Sequence, residues 1–372
     1  MIDVIEESND LEQIGKQWNG LLENSENRDA LHSYQWYRCW TESFTHPGQM
    51  LILAARDGER LTAVLPLMKQ SYRRKGLSIK AVRSMTNNHS ALFDLISDRP
   101  SGDLFAALLR KAFEVTKRKV IVLGKVYENS LILRYIEEAS RKGSFFYLLR
   151  PVSERWTVRM EGPFEAFFNG RESKFKKNMR AAERKSSEHG PLKVLQPSGL
   201  EDLADYLKRG YVLQSNGWKG REGTAIMQNE QVRTFYNKLA VEAFKAGWLR
   251  YTLLANNGDD MSFMYCLGAF GFIHALEIGL DERFKNLGAG MVVAKKALEQ
   301  AFEEKQYHTW DFGSGQDRWK KDWSNGRETQ YTIFIFRKNP IGMLFYTLSR
   351  YYHSRHPFQP YDKTEGRRGT AC

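Results

Sequence analysis

Apolar and polar positions change rhythm several times along the chain, and each change marks an element. Leu249–Ala255 (LRYTLLA) is a strand-length apolar run, and NNGDD at 256–260 is a tight-turn signature. MSFMYCLGA and FIHALEIGL, between 261 and 280, are two further runs, so the three predict an antiparallel meander. Met291, Ala294, Leu298 and Ala301 then recur at helical spacing, which predicts a helix ending near Lys305. HTWDFG (308–313) follows as a strand, and Glu328–Lys338 (ETQYTIFIFRK) as the strand that closes this sheet.

The first half repeats the order. LILAAR, DGER and LTAVLPLMK predict a hairpin, SALFDLI (90–96) a strand, GDLFAALLRKAFEVTK (102–117) a helix and KVIVLG (119–124) a buried strand. The pattern predicts an α/β protein with two lobes, each a mixed, largely antiparallel sheet flanked by helices. Their expected limits are 1–160 and 196–340, with a connecting basic helix in 161–195 and a tail in 341–372. The connector has seven basic residues from Arg171 to Lys185, with Phe175, Met179 and Ala182 at helical spacing and Gly190 as its stop. It reads as a helix with a solvated basic face; the sharper alternative is a surface for an anionic substrate.

Composition changes this picture in three ways. A chain of 372 residues fits about two domains at roughly 150 residues each, and 42% apolar residues are enough for two cores. Cys39, Cys266 and Cys372 have neither disulfide nor metal spacing, and the acidic start has no signal-peptide pattern, so a reduced, cytoplasmic setting is expected. The net charge of +12 favours an anionic partner: a nucleotide cofactor, nucleic acid, an anionic glycan or a membrane surface. The apolar stretch 263–280 contains His274 and Glu277 and reads as two strands, not as a span of roughly 20 apolar residues. The tail IGMLFYTLSRYYHSRHPF reads as an amphipathic helix docked on the core, with a membrane surface as the alternative.

Candidate chemistry collects in the second half. No G-x-S-x-G elbow occurs, and His353 and His356 are the only closely spaced histidines, so neither a serine hydrolase nor a metal site is expected. Lys285-Asn-Leu-Gly-Ala-Gly290 precedes the predicted helix. Glycines there let a backbone approach a ligand closely, and a helix start offers free amides and a positive dipole end, which suits a pyrophosphate. Glu277, on the strand leading in, is a carboxylate in an apolar run: a candidate base, or a structural ion-pair partner. Asp311 and Lys320 lie in DFGSGQDRWK, where Lys320 would meet an anionic acceptor or a developing oxyanion and Asp311 would orient it or act as base. Trp218 and Lys219 in NGWKGREG set an aromatic beside a cation, which suits a sugar face or a negatively charged acceptor.

These stretches resemble the GNAT acyltransferase superfamily, and within it the CelD/BcsL group associated with cellulose and exopolysaccharide biosynthesis. The superfamily's pyrophosphate loop has the form Q/R-x-x-G-x-G/A, which 285–290 matches except for Lys285 at the first position. SYQWYRCW (33–40), KFKKNMRAAERK (174–185), GWKGREGTAI (217–226) and WDFGSGQDRWKKDW (310–323) also resemble that group. The Fem-type aminoacyltransferases are similar in their twin-lobe plan and aromatic-Lys segment, here Trp319-Lys320.

The resemblance implies an acyl-CoA site at Lys285, Leu287, Gly288, Ala289, Gly290 and Met291, with catalysis by Glu277, Asp311 and Lys320. It implies acceptor contacts at Trp218, Lys219 and Trp319. The implied donor is acetyl-CoA or another acyl-CoA with no metal. The implied acceptor is a glycan hydroxyl or an amine of exopolysaccharide or envelope biosynthesis, reached without nucleic acid; peripheral association with an envelope-biosynthesis complex at the inner membrane face is the accompanying expectation. Two alternatives stand: Fem-like transfer from charged tRNA, and a non-catalytic glycan- or partner-binding protein.

Overall fold

The computed structural model describes residues 1–74, 77–188, 190–315 and 317–355. Gln316 of the DFGSGQDRWK stretch, His356 and the rest of the tail lie outside the described residues. The chain divides into two compact units, Met1–Glu154 joined by residues from Glu328 on, and Arg155–Arg327.

The first part of the chain runs β1 (Ile2–Ile5), α1 (Ser8–Gln13), α2 (Gly15–Glu23), α3 (Tyr34–Phe44), β2 (Met50–Asp57), β3 (Arg60–Arg74), β4 (Leu77–Ser84), β5 (Ile96–Ser97), α4 (Gly102–Thr116), β6 (Val120–Tyr127), α5 (Leu131–Gly143) and β7 (Phe145–Arg159). Helices then gather. They are α6 (Phe164–Asn169), α7 (Ser173–Ser186), and, after β8 (Leu192–Leu195), α8 (Leu200–Ser215), α9 (Trp218–Arg221) and α10 (Glu230–Lys245). The meander is β9 (Leu249–Asn256), β10 (Asp259–Ala269) and β11 (Phe272–Leu280). The chain continues with α11 (Ala289–Glu303), β12 (Thr309–Ser314), α12 (Arg318–Trp323), β13 (Gly326–Arg337) and α13 (Pro340–Arg355).

In the first unit the strand order is β1-β2-β3-β4-β6-β13, with β5 on β3. Neighbours are antiparallel except β4 and β6, whose parallel pairing requires the crossover through α4. Phe105, Leu109 and Phe113 of α4 and Ile136 of α5 pack on Leu65, Val82, Ile121, Ile333 and Ile335 of the sheet. On the other face, Phe345 and Tyr346 of α13 pack with Phe334, Phe336, Tyr72 and Ile79.

Two expectations are corrected here. SALFDLI yields only the two-residue β5, because Asp94 turns inward and its carboxylate accepts from the amides of Leu131 and Ile132 at 2.8 and 2.9 Å, capping α5. ETQYTIFIFRK, expected to close the sheet of the second half, lies between β6 and β7 in strand order and belongs with the first unit. It pairs antiparallel with β6 of the first unit, Phe334 opposite Val122. Its alternating apolar residues fit any sheet with two covered faces, so the local pattern cannot choose the partner.

The second unit has the strand order β7-β12-β11-β10-β9-β8, with only β11 and β12 parallel. The expected tight turn forms at Asn257 and Gly258, both with positive φ (49° and 89°), the combination that two-residue hairpins need. The apolar stretch 263–280 divides into β10 and β11 around Phe270 and Gly271. One face of the sheet carries α6, α7 and α11, joined through Phe164, Phe168, Phe175, Met179, Val292, Val293 and Leu298. Tyr211 of α8 and Phe235 and Tyr236 of α10 pack at the other face with Tyr251 and Tyr265. Helix α7 buries Phe175, Met179 and Ala182 while Lys174, Lys177, Arg180, Arg184 and Lys185 stay exposed, a solvated basic face. Among the described residues no helix is long and apolar enough to cross a membrane.

Candidate active site

Strand β11 reaches α11 through a short 3-10 helix, Glu282–Leu287, and Gly288 closes it in the left-handed region at φ 78°. The Gly288 amide donates to Lys285 O at 3.0 Å. The amides of Met291 and Val292 donate to Gly288 O at 2.9 and 3.1 Å. The amides of Ala289 and Gly290 therefore open the helix, in the turn that has no intrahelical acceptors, and no side chain caps it. No acid lies in the first turn of this 15-residue helix, so its positive dipole end is uncompensated there.

The loop's glycines serve two purposes. A Cβ on Gly288 would lie 2.6 Å from Ala182 Cβ, so Gly288 is needed for its φ and for the approach of α7. A Cβ on Gly290 would meet only the flexible Leu280 Cδ2, at 3.1 Å. The Met291 amide is taken up by Gly288 O, so the amides at the helix start are those of Ala289 and Gly290. Leu287 is fixed by its carbonyl, which accepts from Ser186 Oγ at 3.1 Å. Lys285 pairs with Glu282 at 3.0 Å, and Arg221 reaches the same carboxylate at 3.3 Å.

Beside this helix start the sheet parts. β11 and β12 pair only from Phe272/Thr309 to His274/Asp311, although β11 runs on to Leu280. A register shift between Tyr265 and Cys266 inserts an extra residue in β11. It puts His274 and Glu277, three positions apart, on one face, where plain alternation would separate them.

Glu277 is buried and fully engaged. It pairs with Lys219, accepts from Gln214 Nε2 at 2.8 Å and accepts from Tyr236 OH at 2.9 Å. Gln214 is itself locked by the Ile226 amide, which donates to its Oε1 at 2.8 Å. Burial, and then the Glu277 charge, push the Tyr236 phenol well above its usual pKa, so it stays a donor.

Asp311 is buried against Arg155 at 3.1 Å, His274 Nδ1 at 2.9 Å and the Gly313 amide at 2.7 Å. Burial alone would raise its pKa. Arg155, His274 and the Gly313 amide outweigh that and hold it well below the usual carboxylate range. An ionised carboxylate only accepts, so the shared proton sits on His274 Nδ1.

Of the other expected site residues, Lys219 joins the Glu277 cluster, and Lys320, Trp319 and Trp218 have partners of their own or face solvent. Lys320 donates to Ser314 O at 3.0 Å and pairs with Asp317 at 3.2 Å; Asp311, engaged with Arg155 and His274, does not orient it. Trp319 packs edge-on to Phe312 at 5.2 Å. Trp218 is exposed on α9, while the Lys219 charge expected to meet an acceptor is taken up by Glu277. Sequence reasoning missed Arg155, Gln214 and Tyr236 and gave His274 no role. A histidine inside an apolar strand was the one available signal, and without Arg155 in view it had no partner.

Residues 173–321 match the family model described as an acetyltransferase (GNAT) domain. The match lies within the second unit and covers most of it. The chain is accordingly read as an acyltransferase. No curated protein matches it in sequence. Among solved structures, FemX is similar over 89% of this chain and 98% of its own, with a TM-score of 0.63 at 11% identity. L-PGS from Bacillus licheniformis is similar over 90% and 96%, at 0.52 and 13%. A tandem GNAT protein from the clavulanic acid biosynthesis pathway is similar over 90% and 97%, at 0.50 and 12%. At such identities the likeness shows the fold: two GNAT-like lobes, each a mostly antiparallel sheet flanked by helices. The match does not reach the CelD/BcsL group.

Proposed function

We propose that the second unit moves an acyl group, acetyl first among candidates, from CoA to a hydroxyl or amine acceptor of exopolysaccharide or envelope biosynthesis. The acceptor attacks the thioester carbonyl and the C–S bond breaks; the acceptor loses a proton and CoA leaves as the thiol. The observation that carries this reading is the start of α11: uncapped, free of acids, opening on the Ala289 and Gly290 amides beside the parting of β11 and β12. Those amides hold the pyrophosphate, with Lys285 as the nearby cation. Glu277 receives the acceptor's proton, Asp311 holds His274, and Lys320 beside Trp319 supplies positive charge at the end of β12. Trp218 is the exposed ring for the acceptor.

Calorimetry with acetyl-CoA tests the donor site. The wild type should bind, and Gly290→Val should bind at least about tenfold more weakly, about 1.4 kcal/mol, with its fold unchanged by circular dichroism. Equal binding by both removes the assignment.

The exposed basic face of α7 favours one second reading, Fem-like transfer from charged tRNA. Binding across many phosphates weakens with salt at a log–log slope of roughly −0.7 to −0.9 per phosphate neutralised. Acetyl-CoA held by a few amides should show a much shallower slope. Tight, steeply salt-dependent binding of charged tRNA, with no binding of acetyl-CoA, would replace the first reading by the second.

A further inference from the structure

Helix α13 presents apolar side chains on two faces. Phe345 and Tyr346 face inward, into the cluster on the first unit's sheet. Outward, Ile341 is 47% exposed, Leu344 58%, Leu348 56% and Tyr351 63%. These four stand at i, i+3, i+7 and i+10, one continuous stripe along the helix. Met343, 57% exposed, lies beside it. Of the twelve large hydrophobic side chains exposed among the described residues, these are five, all on one helix of 16 residues. Scattered exposed hydrophobics are ordinary; a stripe of them marks an interaction surface.

The charges around the stripe name its occupant. Residues 340–355 contain no Asp or Glu, and Arg337 and Lys338 lead into them. Arg355 falls on the stripe at its far end, and Arg350, half a turn round from Ile341, is exposed at the other margin of the helix's solvent face. Each guanidinium lies along a tyrosine ring, Arg355 at 5.5 Å from Tyr351 and Arg350 at 5.6 Å from Tyr346. Aliphatic side chains with tyrosine and arginine at their margin, and no acid, match the layering of an anionic bilayer: acyl chains, then the interface, then phosphates. A helix of this kind lies in the plane of the surface and does not cross it.

We propose that α13 docks the protein on an anionic membrane surface, with Ile341, Leu344 and Leu348 entering the headgroup–acyl boundary and Arg350 and Arg355 meeting lipid phosphates. This surface is independent of the acyl-transfer reading, which rests on the other unit.

The test is co-sedimentation of the full-length protein with vesicles of phosphatidylcholine alone, and with vesicles of phosphatidylcholine and phosphatidylglycerol at about 2:1. Binding to the mixed vesicles should exceed binding to the neutral ones by at least about tenfold and fall as salt shortens the Debye length to about 3 Å at 1 M. Leu344→Asp with Leu348→Asp should abolish it. Arg350→Gln with Arg355→Gln should weaken it about tenfold. All four side chains are exposed, so circular dichroism and the unfolding midpoint should not change. Binding that ignores the phosphatidylglycerol, or that survives the double Asp change, overturns the proposal. A dimer in light scattering that the double Asp change dissociates, with no vesicle binding, assigns the stripe to a second copy of the chain instead.

Discussion

Each unit joins a parallel strand pair through a helix, β4 to β6 by way of α4 and β11 to β12 by way of α11, yet the two helices begin in opposite ways. Ser101 caps α4, its side chain accepting from the Leu104 amide at 3.2 Å, and Asp103 adds an acid to the first turn. Gly288 starts α11 with no side chain to offer and no acid after it. The first helix answers its own orphan amides with a side chain, and the second does not. The buried carboxylates differ in the same sense. Asp94 is committed to the amides that start α5, whereas Asp311 sits in the parallel pair itself; the β4–β6 register pairs Val82 with Ile121 and Arg83 with Val122 and holds no carboxylate.

The sharpest way to break this comparison is to take the carboxylate out of the second parallel pair, since the first has none. Asp311→Asn removes the buried negative charge that faces Arg155 and should cost roughly 3–5 kcal/mol at pH 7, read by urea unfolding. The pH dependence fixes the cause. The folded pKa of Asp311 lies below its unfolded value near 3.9, so its contribution is complete above that value and is lost as pH falls towards the depressed folded pKa. The gap between wild type and variant should stay constant from about pH 7 to 5 and begin to close below about pH 4. A gap that does not change at low pH would make the loss one of shape, not charge.

A smaller contrast lies in the glycines. Gly288→Ala combines a left-handed backbone, costing about 1–2 kcal/mol, with a Cβ pressed on Ala182 in a packed core, about 1–3 kcal/mol. About 2–5 kcal/mol in total is expected. At α4 the counterpart Gly102→Ala has no positive φ, and its Cβ would meet only the flexible Glu138 side chain. It should change stability by less than about 1 kcal/mol, since Ala is the better helix former. Equal losses at the two sites in parallel melts would show that Gly288 is not the constrained position.

The parts legible in the sequence were the local ones. The meander, the turn at Asn257 and the helix after Gly290 follow from spacing and turn chemistry, which short segments carry by themselves. The destination of β13 was not legible, because Ile333 and Phe334 face opposite covered surfaces and would suit either sheet. Nor were the partners of Glu277 and Asp311. Gln214 and Tyr236 reach Glu277 from 63 and 41 residues away in the chain. The β-bulge that aligns His274 with Glu277 leaves no mark that alternation can detect. A site assembled by register needs the register first.

The finest test exchanges the two helix starts. Met291 is the third residue of α11, in the turn where α4 carries Asp103. Met291→Glu gives α11 the acid it lacks. A carboxylate at a helix N-terminus is favourable by about 0.3–1 kcal/mol, while the lost Met packing acts against it, so stability should move by less than about 1 kcal/mol. Acetyl-CoA affinity should nonetheless fall at least about tenfold, because the pyrophosphate would then compete with a fixed negative charge for the same amides. Ser101→Ala is the mirror case. It removes the cap of α4 and should cost about 1 kcal/mol of stability, yet leave acetyl-CoA binding unchanged by calorimetry. Stability and binding should thus separate: the first unit's helix start affects only folding, and the second unit's mainly the ligand. If Met291→Glu binds acetyl-CoA like the wild type, the start of α11 is not where the donor sits, and the difference between the two helices is one of folding alone.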